Sequence, residues 1–196
     1  MKTKSYIIAI ILYLISTSNL HAIDPEIFVQ STVNRASKIL GENISKEKKM
    51  LELQNIAKDT VDITGIGFYT LGSIRKSLSE EQKNKYGNLF EKYFLKSFTS
   101  RLTDYSDPKI NVLSSDVVNE KYTIVKTMLL KTDKRPEVKI DWRVYTKDPN
   151  NPLIRDLIIE GLSLARTQKE EFASVLNTNN NDINALFSTL ERFIEK

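Results

Sequence analysis

Residues 138–145 read Val138-Lys139-Ile140-Asp141-Trp142-Arg143-Val144-Tyr145. Val138, Ile140, Trp142 and Val144 alternate with Lys139, Asp141, Arg143 and Tyr145, the period-two signature of a strand with one buried and one wet face. The pattern predicts a strand over 135–145. Outward from it, 109–118, 121–131 and 153–160 also read as strands, the last apolar on both sides, with a turn over 147–152. Short connections predict antiparallel neighbours. Gly161 is expected to end the sheet.

Before the sheet the period is near 3.6. Ser79-Glu80-Glu81-Gln82 is a capping box, with Leu78 placed as a staple before it. Tyr86, Leu89, Phe90, Tyr93, Phe94, Phe98 and Leu102 then recur every three or four residues, so one helix face is unusually aromatic. This helix is expected to end near Tyr105, ahead of Asp107-Pro108. Upstream, Asp24-Pro25 starts a helix to about Leu40 with Ile27, Phe28, Ala36, Ile39 and Leu40 as its apolar set. Ser45 caps a second helix carrying Met50, Leu51, Leu53, Ile56 and Ala57. Residues 59–71 hold Gly65 and Gly67, but GxGxxG is incomplete and no suitable strand precedes, so a phosphate loop is rejected. Downstream, 163–176 returns to helix with Phe172, Val175 and Leu176. Asp182 caps a last helix with Ile183, Leu186, Phe187, Leu190, Phe193 and Ile194. The expected fold is α+β, one domain over 23–196, with helices against one face of a curved, mostly antiparallel sheet.

The chain has 196 residues, 29 Lys and Arg against 25 acids, one His and no Cys. Residues 1–22 comprise a basic start with Lys2 and Lys4, an apolar run and Ala22 at a cleavage point, and are read as a secretory signal peptide. A retained membrane anchor is the weaker reading, because the apolar run is short for a span. Without that segment Lys and Arg number 27, the formal charge is +2 and no His remains. Ser-His-Asp and Cys-His catalysis and ordinary zinc sites are then excluded. The mixed charges, as at Lys46, Glu47, Lys48 and Lys49, argue against a nucleic-acid surface. Asp156 and Glu160 lie four apart on one strand, about 13 Å, too far for a glycosidase pair. They are read as sheet-surface acids, Glu160 tying the strand to the next helix. No catalytic or metal-binding residue is expected.

The aromatic helix against the Trp142 face leaves two readings open. One is a filled core, the usual home of large aromatics, in a structural or adaptor protein. The other is an apolar pocket suited to an acyl chain. The candidate lining is Phe68, Leu71, Phe90, Phe94, Phe98, Trp142, Val144, Leu157, Ile159 and Phe172. Arg101, Lys139 and Arg143 are candidates for a phosphate rim, with a solvated role as the alternative.

Several motifs, in order, resemble one family: Leu71-Gly72 with Arg75, Leu78-Ser79 with Gln82, Tyr93 with Arg101-Leu102 and Tyr105, Val138 with Trp142-Arg143, Asp156 with Glu160-Gly161 and Ser163, and Gln168 with Phe172. They resemble the MlaC family of periplasmic phospholipid-binding proteins, also called toluene-tolerance proteins. Pro152 and Leu153 stand where members usually carry Trp-Lys, and Ile74 where an aromatic is common. The resemblance implies a four-to-five-stranded sheet of the NTF2 or cystatin kind and a monomer in the periplasm of a Gram-negative bacterium. It implies a bound glycerophospholipid as cargo, no cofactor and no enzymatic activity. The implied partners are an outer-membrane lipoprotein–porin complex and an inner-membrane ABC transporter with MCE-domain subunits.

Overall fold

Val125, Trp142 and Leu157 lie side by side across three strands, and their register defines one face of the sheet. The computed structural model describes residues 22–133 and 135–196; the leader expected over 1–22 lies outside them except for Ala22. The strands are β1 (Ile110–Asn119), β2 (Tyr122–Leu129), β3 (Val138–Tyr145), β4 (Leu153–Ile159) and β5 (Leu162–Ser163), paired in that order and antiparallel throughout. Helices α1 (Pro25–Gly41), α2 (Lys46–Thr60), α3 (Ile63–Thr70) and α4 (Glu80–Leu102) precede the sheet. Helices α5 (Leu164–Thr178) and α6 (Ile183–Glu195) follow it. The fold is α+β.

Local chemistry sets these boundaries. Asp24, Ser45, Asp62, Ser79, Ser163 and Asp182 each accept a backbone N–H at a helix start, satisfying donors the helix cannot. The Ser79–Gln82 capping box forms in both directions. One segment without an expected secondary structure is resolved and two expectations are corrected. Residues 63–70 are helical, because Asp62 caps them and Gly65 and Gly67 face close neighbours. Helix α4 stops at Leu102, not Tyr105. Gly161 does not end the sheet: Glu160 and Gly161 have φ of 48° and 82°, the left-handed pair of a tight hairpin turn, and β5 pairs back onto β4.

The core has three parts. On the inner face of the sheet, Val125, Trp142, Val144 and Ile154 pack against Val29 and Val33 of α1. The helix over Trp142 is thus α1, not the aromatic α4. Its buried stripe is Val29, Thr32, Val33 and Leu40, whereas Ile27 is 67% exposed, because Val29 and Val33 are one turn apart on the sheet side. A second, larger part joins α3, α4, α5 and α6 through Ile66, Tyr86, Phe90, Phe172, Leu186 and Leu190, among others. A third joins Leu40, Leu53 and Ile56, with Leu102 and Tyr105 at its margin. Val61 touches both the first and the second part. There Val61 bridges to Ile154, and the Asp62 N–H donates to the Ile154 carbonyl at 2.9 Å.

Candidate functional site

The aromatic cluster is built by α4. Phe90 is buried and contacts Tyr86, Tyr93, Phe94 and Phe172, with ring centroids 5.7–6.3 Å apart. Phe94 stacks on Phe98 at 5.5 Å. These spacings suit stacked and edge-to-face rings. Helix α3 approaches closely because Gly67 has no side chain: a Cβ there would sit 2.8 Å from the Phe90 ring. Tyr86 is fully buried, and its hydroxyl pairs with Thr70 at 2.7 Å. Burial pushes that phenol far above its ordinary value.

Of the ten candidate lining residues, Leu71, Phe90, Trp142, Val144 and Phe172 are buried. Leu71, Phe90 and Phe172, with Phe68 and Phe94 at the margin, belong to the helical cluster. Trp142 and Val144, with Leu157 at the margin, belong to the cluster under α1. They do not form a single wall. Phe68, Phe94, Phe98, Leu157 and Ile159 are each only half-buried. Ile159 pairs with Ile140, and Leu157 with Trp142, so both lie on the inner face.

The three rim candidates separate as well. Lys139 and Arg143 pair with Met128 and Ile124 on the face opposite Trp142. Strand alternation therefore turns them away from the inner face. Arg101 is exposed on α4, two turns from Tyr93 on the same helix face. The Tyr93 hydroxyl donates to Gln168 Oε1 at 2.7 Å, and Gln168 Nε2 donates to Glu171 at 2.9 Å. The Tyr93 ring touches Phe172 and Phe193, with centroids at 5.7 and 4.8 Å. Burial, and then the charge of Glu171, raise the Tyr93 phenol above its ordinary value.

Two buried or half-buried charged groups escaped the sequence reading. Asp156, read as a surface acid, is 4% exposed. It accepts from the Ser163 hydroxyl at 2.6 Å and the Ala165 N–H at 3.0 Å, fixing the first turn of α5. The Asp156-to-Ser163 spacing was the available signal. Arg155 sits in a register shift of β4. It pairs with Asp62 at 2.6 Å, donates to the Tyr122 hydroxyl at 2.8 Å and stacks on Tyr145 at 3.7 Å. It ties the start of α3 to the sheet. Glu160 accepts from the Lys139 N–H, extending the β3–β4 pairing.

A depression of about 420 Å³ lies between α1 and residues 107–111. Gln30, Asn34, Ser37, Lys38, Asp107 and Lys109 line much of it, too polar a wall for an acyl chain. Among the described residues no acid–histidine–cysteine group fit for a metal occurs, and no helix is long and apolar enough to cross a membrane.

Comparison with known proteins agrees with this architecture. A phospholipid-binding protein from Ralstonia solanacearum, solved in complex with a phospholipid, superposes with a TM-score of 0.75 at 18% sequence identity. The alignment covers 88% of this chain and 98% of that one; at this identity the likeness concerns the fold. The sequence also matches the MlaC protein family over residues 30–192. That span runs from α1 to α6 and includes every strand, and the chain belongs to the MlaC family.

Proposed function

We propose that this protein is a soluble periplasmic phospholipid carrier that holds acyl chains between its helical cluster and the inner face of its sheet. It takes lipid from, or delivers it to, an outer-membrane lipoprotein–porin complex and an inner-membrane ABC transporter with MCE-domain subunits. Membership of the MlaC family and the likeness to a fold that carries a phospholipid support this reading. The observation that carries it is the half-burial of Phe68, Phe94, Phe98, Leu157 and Ile159. Phe68 and Phe94 border the helical cluster and Leu157 the sheet cluster, while Phe98 stacks on Phe94 and Ile159 pairs with Ile140. Their exposed apolar surface favours an apolar ligand, at about 25 cal/mol per Å² covered. Leu71, Phe90, Trp142, Val144 and Phe172 then act as the packed backing of the wall. Of the rim candidates, Arg101 is exposed on the helix that carries the aromatic cluster, which supports it as the residue that meets a phosphate. The lipid is cargo and no cofactor takes part. Residues 23–196 contain neither His nor Cys, and holding a lipid requires no covalent step.

The adaptor alternative rests on the ring contacts of Phe90, which fill the middle of the helical cluster. Native mass spectrometry of protein purified from exporting cells separates the two. An adduct in the phospholipid mass range is expected, released intact and without free fatty acid. Protein that arrives bare and takes up no lipid from vesicles is an adaptor.

A further inference from the structure

Tyr93 is the polar member of an otherwise apolar group of rings. Phe90, Phe172 and Phe193 surround its ring at centroid distances of 6.3, 5.7 and 4.8 Å. Phe193 is 37% exposed, so this group reaches the surface between α4, α5 and α6. Tyr93 is half-buried; its hydroxyl donates to Gln168 Oε1 at 2.7 Å, and the Ser97 side chain also hydrogen-bonds to it. Gln168 is itself held, because its amide N–H₂ donates to Glu171. The amide therefore presents its oxygen to Tyr93, and the phenol is oriented as a donor. Burial and the Glu171 carboxylate keep that phenol protonated across the physiological range. Ser97 and Arg101 follow Tyr93 by one and two turns on the same face of α4. One helix edge thus presents rings, then an oriented hydroxyl, then a cation. A glycerophospholipid presents the complementary order: acyl chain, ester carbonyl, phosphate.

We propose that the Tyr93 hydroxyl is the hydrogen-bond donor for an acyl ester carbonyl of the bound lipid, with Gln168 as the residue that positions it. This inference rests on the carrier reading above. The bond to Gln168 keeps the phenol from being left unpaired in an apolar setting, where the penalty is large. When the lipid enters, the hydroxyl turns to the carbonyl. The exposed side of Gln168 then takes water. Recognition thereby falls on the linkage common to ester lipids and not on their headgroups.

Delipidated full-length exported protein, offered an equimolar mixture of diester phosphatidylglycerol and its diether analogue, tests this by native mass spectrometry. The diether has the same chains and phosphate but no carbonyl. Wild type is expected to hold the diester over the diether by about five-fold, the effect of one neutral hydrogen bond. Tyr93→Phe is expected to hold the two equally, whereas Tyr69→Phe, at an exposed ring elsewhere, keeps the preference. The readout is a ratio within folded molecules, so a modest loss of stability in Tyr93→Phe does not affect it. Equal binding by wild type, or a preference that survives in Tyr93→Phe, overturns the inference and leaves the carrier reading standing. Failure of wild type to bind either lipid overturns both.

Discussion

Val144 and Leu157 show how burial alone separates two residues that a sequence pattern treats alike. Val144 is fully buried under α1, so Val144→Asp places an unpaired carboxylate in a dry core and leaves a poorly folded protein. Leu157 is half-buried on the same face. Leu157→Asp is expected to leave the melting temperature of delipidated protein within a few degrees of wild type while sharply lowering retained lipid per chain. Equal loss of fold in both variants removes Leu157 from the lipid wall. Tyr86 gives a pH prediction. Its folded pKa lies above the ordinary tyrosine value of 10.0. The protonated phenol's contribution is therefore complete below about pH 10 and declines as pH rises further, because only the unfolded chain then ionises readily. Denaturation midpoints of wild type are expected to fall above pH 10 more steeply than those of Tyr86→Phe. Parallel curves for the two proteins contradict the assignment.

At the scale of elements, the α3–α4 crossing depends on a glycine that the sequence reading weighed only as part of a phosphate loop. A methyl group at Gly67 meets the Phe90 ring at 2.8 Å. Gly67→Ala is expected to cost about 1–3 kcal/mol by overpacking, seen as a lower denaturation midpoint with unchanged slope. A midpoint equal to or above wild type means that α3 shifts freely. The elements whose faces were one-sided were legible: α4 from its capping box and aromatic repeat, α6 from its apolar stripe, β3 from its alternation. Helix α3 was not, since eight residues with two glycines carry too little periodicity to outweigh low helix propensity. Strand β5 is two residues long and follows from the left-handed Glu160-Gly161 turn, which no hydrophobic pattern announces.

Over the whole molecule, two apolar clusters meet at Val61, and Arg155 locks that junction through Asp62, Tyr122 and Tyr145. The Arg155 and Asp62 side chains are 29% and 17% exposed, so solvent screens the pair in part. Arg155→Met is expected to lower stability by about 1–2 kcal/mol and to raise amide exchange around residues 61–66 before that of β2 and β3. Uniform exchange across the molecule contradicts a local lock. Residue types and their spacing alone carry the α+β class, the antiparallel order, most caps and the absence of thiol chemistry. Those follow from residue type and from periods of 2 and 3.6, which are local. The motifs of the sequence also carry the family resemblance. The packing of the whole chain settles that α1 and not α4 covers Trp142, that Asp156 is a buried cap, and that Lys139 and Arg143 face away from the inner sheet. Periodicity says which side of an element is apolar but not which element meets it, because partner choice depends on loop paths and on the shape of every other face.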